Sequence, residues 1–134
     1  MRDLLIGLLA WLTAETGYAA PSTLPEIRLL SQSQIQSIAL PHGPWIPLTA
    51  FYDDDVIYID VRWDPATTRG HALLVHELTH WLQHKNGKRG PMCAWEQEAY
   101  AMADRWYRAN GAEPPPIAIE RILQTACHWS LGPT

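Results

Sequence analysis

Two histidines and a glutamate stand in the order His76-Glu77-Leu78-Thr79-His80, the pattern His-Glu-x-x-His. On an α-helix, residues four apart lie one above the other on the same face. His76 and His80 can therefore offer two imidazole nitrogens to a single metal ion. Glu77 is turned about 100° from His76 around the helix axis. Its carboxylate would stand beside the ion rather than on it, where it can take a proton from a water molecule. Two neutral nitrogen ligands, plus one base that is not a ligand, are what a hydrolytic zinc centre requires. The spacing points to one zinc ion with a position left open for water.

Such an ion needs a third protein ligand. A helix expected from about Ala94 to Asn110 carries Glu96 and Glu98, whose side chains diverge by about 200°. The face of Glu96 continues through Ala99, Tyr100, Ala103 and Trp106 or Tyr107. Small residues there allow another helix close, and the aromatic ones bury well. Glu96 is the expected ligand and Glu98 the alternative. His84 prolongs the ladder of His76 and His80, but eight residues of straight helix cover about 12 Å, too far for three bonds to one ion. It reads instead as a cation near a helix C-terminus, and His71 is similarly unsuited. A donor to the oxyanion of a hydrolytic step could come from Tyr100, Tyr107 or His128.

These side chains need elements to carry them. Leu73, Leu74, Val75, Leu78, Trp81 and Leu82 surround the motif, as a helix buried in a small core would require. No proline or glycine interrupts residues 71 to 85. Thr68 is a plausible N-cap and Asn86-Gly87 a stop. Upstream, Leu48 to Tyr52 and Val56 to Val61 read as strands joined at Asp53-Asp54-Asp55, a small antiparallel hairpin. The second strand could serve as an edge against an extended substrate. The three consecutive aspartates lack the alternation and glycine of a calcium loop and read as a turn. Glu26 to Leu30 is a further short strand, and Ser31 caps a brief helix to Ile38. A last helix is expected from Ile117 to Trp129, with Ile119, Ile122, Leu123 and Ala126 on one face.

The 134 residues suffice for one domain with one core. With 47% hydrophobic and 18% charged residues the chain is globular, and its net charge of −4 argues against a nucleic-acid partner. No apolar run approaches the ~20 residues of a membrane span. Met1 to Ala20 admits two readings. It could be a signal peptide cleaved near Ala19 or Ala20, but Asp3 cancels Arg2 and Glu15 comes late. An amphipathic helix fits better, with Asp3 as N-cap, leucines and Trp11 as its stripe, and Gly17 as its stop. A structural helix there would suit a cytoplasmic protein. A signal peptide, or a disulfide between Cys93 and Cys127, would place it in the periplasm or outside the cell. The two cysteines could equally be free buried thiols.

His76-Glu77-Leu78-Thr79-His80 followed by Glu96-Gln97-Glu98-Ala99 resembles the Glu-zincin (gluzincin) metallopeptidases, with His-Glu-x-x-His and a later Glu-x-x-Ala. The likeness covers roughly residues 47 to 108. It implies His76, His80 and Glu96 as zinc ligands and Glu77 as general base and acid. It also implies a minimal zincin-like α+β domain, with a short sheet packed on an active-site helix and a ligand helix, and further helices at both ends. Tyr100 stands where the family often has Asp or Asn, and the interval between His80 and Glu96 is short. The metzincin pattern fails, because Gln83 and Asn86 occupy its glycine and third histidine positions. Two functions follow as expectations: a zinc-dependent hydrolase of peptide or protein substrates, or a non-catalytic zinc module with a binding or regulatory role.

Overall fold

A computed structural model of the chain describes residues 1–43, 45 and 48–127. Its elements run α1 (Arg2–Thr16), β1 (Glu26–Leu30), α2 (Gln32–Ala39), β2 (Ala50–Asp53), β3 (Val56–Asp60), α3 (Thr68–Lys85), α4 (Met92–Ala109) and α5 (Ile119–Thr125). The fold class is α+β, as expected. Local sequence explains most boundaries. Leu5, Leu8, Leu9 and Leu12 recur at helical spacing and are the buried residues of α1, which ends on the left-handed Gly17. Its N-cap is Met1, and Asp3 sits in the first turn instead. Ser31 and Gln34 close a reciprocal capping box at the start of α2. Asp54 takes a positive φ of 55° in the turn between β2 and β3, a conformation aspartate tolerates better than most side chains.

The three strands form one sheet in the order β1-β3-β2. The expected antiparallel hairpin is β2 with β3, and β1 adds a parallel partner on the far side. This corrects one expectation. Val56 to Asp60 is the central strand, not an edge, because both neighbours hydrogen-bond to it. Its residues Ile57 to Asp60 are all buried, inward and outward positions alike. The edge strand on the hairpin side is β2.

The helix bearing the His-Glu-x-x-His motif, α3, is the middle of the molecule. Leu74, Val75, Leu78, Trp81 and Leu82 meet the leucines of α1, Ile57 and Ile59 of β3, and Met102 of α4 in one core. The cap of α3 is Thr67, one residue earlier than expected, whose hydroxyl accepts from the Gly70 amide at 2.9 Å. Helix α4 begins at Met92, two residues before Ala94. Ala99 is fully buried, consistent with a close approach to α3 on the expected face.

Helix α5 begins at Ile119 rather than Ile117 and ends at Thr125, before Ala126, and residues 128 and 129 of the expected last helix lie outside the described residues. Ile119, Ile122 and Leu123 are exposed. A disulfide joins Cys93 to Cys127, with Cα atoms 5.1 Å apart. The bond is compatible with an extracellular protein. Among the described residues, no helix is long and apolar enough to cross a membrane.

Candidate metal centre

One helical turn on α3 brings the two histidines together, and α4 delivers the carboxylate. The Nε2 atoms of His76 and His80 are 3.2 Å apart. Glu96 Oε1 lies 3.6 Å from His76 Nε2 and in direct contact with His80 Nε2. Two ligands about 2.1 Å from a tetrahedral ion are about 3.4 Å apart, so two of the three separations have the spacing of ligands to one ion, and the Glu96 carboxylate would have to move off His80 to admit it. All three donor atoms fall within 4.8 Å of one another. The group could hold a metal ion. Two imidazoles and a carboxylate suit zinc and several other transition metals alike.

Burial shapes the electrostatics. Glu77 is only 7% exposed. Desolvation raises its pKa, with Glu96 adding to the rise and the two histidines opposing it. Burial would likewise raise Glu96, but hydrogen bonds and charge from His76 and His80 overcome it and hold its pKa at about 2. Desolvation disfavours a charge on His80, yet contact with Glu96 and the field of Glu77 carry its pKa upward.

The cluster opens onto a cleft of about 1100 Å³. His76, Glu77 and His80 lie on its floor, β2 borders it on one side, and α4 with α5 border it on the other. Tyr52 of β2 stacks on the His80 ring, centroids 5.5 Å apart and planes 13° apart. Tyr100 meets the His76 ring edge-on at 4.5 Å. Its hydroxyl donates to Gln124 of α5 at 2.5 Å. Tyr100 and Tyr107 both line the cleft, and burial raises both phenol pKa values. His128 lies outside the described residues.

Glu98, the alternative ligand, is engaged elsewhere. Its carboxylate accepts from the Tyr18 hydroxyl and from Gln83 Nε2, the latter at 3.0 Å. His84 is exposed on the last turn of α3, and His71 is held by the Pro65 carbonyl at 2.7 Å. Reading the sequence missed two neighbours of the site. Gln83 is fully buried beside His80, and its signal was its place three residues after a ligand within an apolar stretch. Tyr52 carried no signal beyond its strand, because its contact with His80 depends on how the sheet packs on α3.

A family model described as "Domain of unknown function (DUF6647)" matches residues 1–130, and the chain belongs to that family. No curated protein and no solved structure matches it.

Proposed function

We propose that the chain is a zinc-dependent peptide-bond hydrolase that acts on extended peptide or protein segments. The observation that carries this reading is the convergence of His76, His80 and Glu96 on one side of an open cleft, with Glu77 on the same floor. The gluzincin-like order of those residues supports it. When bound, zinc would supply Lewis acidity to a peptide carbonyl and to a water molecule.

The chain's own residues supply the rest. Glu77 takes a proton from the attacking water onto its carboxylate, and its burial makes it a stronger base than an exposed glutamate. The same carboxyl then delivers the proton to the leaving nitrogen. The edge strand β2 offers backbone groups beside the cleft, along which an extended peptide can pair. Tyr100, packed against the His76 ring, keeps its proton at neutral pH and can turn its hydroxyl from Gln124 to the oxyanion, whereas Tyr107 sits about three helical turns beyond Glu96. The disulfide fits an oxidising compartment as the place of work.

The test is hydrolysis of a peptide mixture by the purified, disulfide-intact protein loaded with zinc. Glu77→Gln is expected to keep zinc while losing about 10²- to 10⁴-fold in rate; unchanged cleavage would remove Glu77 from its role. Zinc content undiminished by His76→Ala would rule out the site. Bound zinc without any hydrolysis would favour a non-catalytic metal module.

A further inference from the structure

Behind His80 runs a set of hydrogen bonds that the proposed reaction does not use. Gln83 follows His80 by one turn of α3 and is 0% exposed. Its Oε1 lies 2.8 Å from His80 Nδ1. Its Nε2 donates to the Trp95 carbonyl at 2.9 Å and to Glu98 Oε1 at 3.0 Å. Glu98 in turn accepts from the Tyr18 hydroxyl, and the Lys88 ammonium stands 3.8 Å from the same carboxylate oxygen.

These partners fix which way the amide points. A half-turn of the Gln83 side chain would set Oε1 against a carbonyl and a carboxylate, two acceptors that have no proton to give. In a site closed to solvent, that arrangement leaves several polar atoms unpaired, each costing about 1–3 kcal/mol. The carbonyl end therefore faces His80, so His80 Nδ1 must be the donor. Nε2 is then the nitrogen that sheds the proton it shares with Glu96 and presents a lone pair to an ion. Nε2 is the atom directed at His76 and Glu96.

We propose that Gln83 is a positioning residue for the metal centre: its amide, oriented by the Trp95 carbonyl and by Glu98, holds the proton on Nδ1 of His80 and keeps Nε2 free for the ion. Tyr18 and Lys88 hold Glu98 and so act one step further out. The residue two places beyond Glu96 is thus not a spare ligand but the anchor that sets the tautomer of a ligand. This inference rests on the metal centre and is independent of whether the centre cleaves peptides.

The experiment uses the full disulfide-intact chain labelled with ¹⁵N-histidine. Ring-nitrogen spectra of the zinc-loaded protein read which nitrogen of His80 keeps its proton and how fast that proton exchanges, and competition with a chelator reads zinc affinity. Wild-type His80 is expected to bind through Nε2 with a slowly exchanging Nδ1–H. In Gln83→Met, a similar shape without the hydrogen bonds, the Nδ1 proton should exchange faster and zinc affinity should fall about ten- to hundredfold. Helix content by circular dichroism should stay as in wild type. A wild-type His80 bound through Nδ1, or a Gln83→Met protein with unchanged Nδ1–H exchange and affinity, overturns the proposal. Should Gln83→Met not fold, Glu98→Leu serves, because Glu98 is only half-buried and its loss frees the amide to turn. It should speed Nδ1–H exchange with a smaller loss of affinity, and unchanged exchange overturns the orienting role. Peptide hydrolysis enters neither readout, so an inactive protein with the expected Nδ1–H would end the hydrolase reading and leave this one standing.

Discussion

Helix α3 forms the floor of the cleft and α5 part of its wall, and the two are held in place by different physics. The central turns of α3 are buried almost all round, including Leu74, Val75, Leu78, Trp81 and Leu82 at no measurable exposure. Helix α5 has no buried residue. Its place is set by the Cys93–Cys127 bond, by Arg121 with Asp104, by Gln124 with Tyr100, and by the Thr125 carbonyl with Gln97. Burial fixes a helix through many contacts that fail together. Directed ties fix it at a few points that can be cut one at a time. The histidines of α3 proposed as metal ligands therefore ride on the most cooperative part of the fold, and the wall that faces them on a separable part.

The sharpest way to expose this difference is to cut each helix at its strongest hold. On α3, Leu78→Ala removes a fully buried core side chain two residues from each of His76 and His80. It should cost about 2–5 kcal/mol of global stability, read as a lower urea midpoint at unchanged slope. On α5, replacing both cysteines by alanine opens a link across a sequence separation of 34. Loop entropy sets its upper bound at about 4 kcal/mol. Hydrogen exchange is the informative measurement. Amides of residues 119–125 should lose protection while those of 74–82 keep theirs, and zinc affinity should hold. If protection falls equally in both helices, α5 belongs to the same cooperative unit and the contrast fails.

The same contrast explains what could be read from the sequence. The floor was legible. Its apolar spacing announced α3, and the interval between His76 and His80 is a property of the helix itself. Glu96 followed because Ala99 and Tyr100 marked the packed face of α4. The wall was not legible in the same way. Ile119, Ile122 and Leu123 form a pattern of the kind that usually faces a core, yet they are exposed. Long-range ties, not burial, position that helix, and a tie between residues tens of positions apart leaves no local period. For the same reason the joining of β1 to β3 in parallel and the stacking of Tyr52 on His80 were out of reach. Gln83 was in view only as a mismatch to another metal pattern. Its partners Trp95, Glu98 and, through Glu98, Tyr18 come from two other segments of the chain.

A smaller effect is expected at the entrance to α3. The Trp63 indole donates to the Gly70 carbonyl at 2.9 Å. A Cβ on Gly70 would overlap the Asp64 carbonyl oxygen, so the turn at 63–67 and the first turn of α3 can approach only because residue 70 has no side chain. Gly70→Ala must push that turn away, at about 1–3 kcal/mol. The loss should register as a lower thermal midpoint and a changed Trp63 fluorescence. Nδ1–H exchange and zinc affinity at His80, some three helical turns further on, should be unmoved, since the core between holds the helix. A shift at His80 would mean that the start of α3 and the metal centre move as one rigid rod.

The smallest effect should come from a single polar tie of α5. Arg121 grips Asp104 with two hydrogen bonds, at 3.1 and 2.7 Å, and its guanidinium lies 4.8 Å from the Tyr100 ring centroid. Arg121→Lys keeps the charge but loses the planar fork and the stacking. Both partners retain about a fifth of their side-chain exposure, 20% and 18%, so solvent screens the pair. The loss should stay below about 1 kcal/mol. A double-mutant cycle with Asp104→Asn separates the pair from its surroundings. A small coupling with local loosening of α5 is what a wall held by several independent ties must show. A coupling as large as the Leu78→Ala loss would mean that one ion pair carries α5 nearly alone, and that wall and floor differ in the nature of their hold but not in how many points share it.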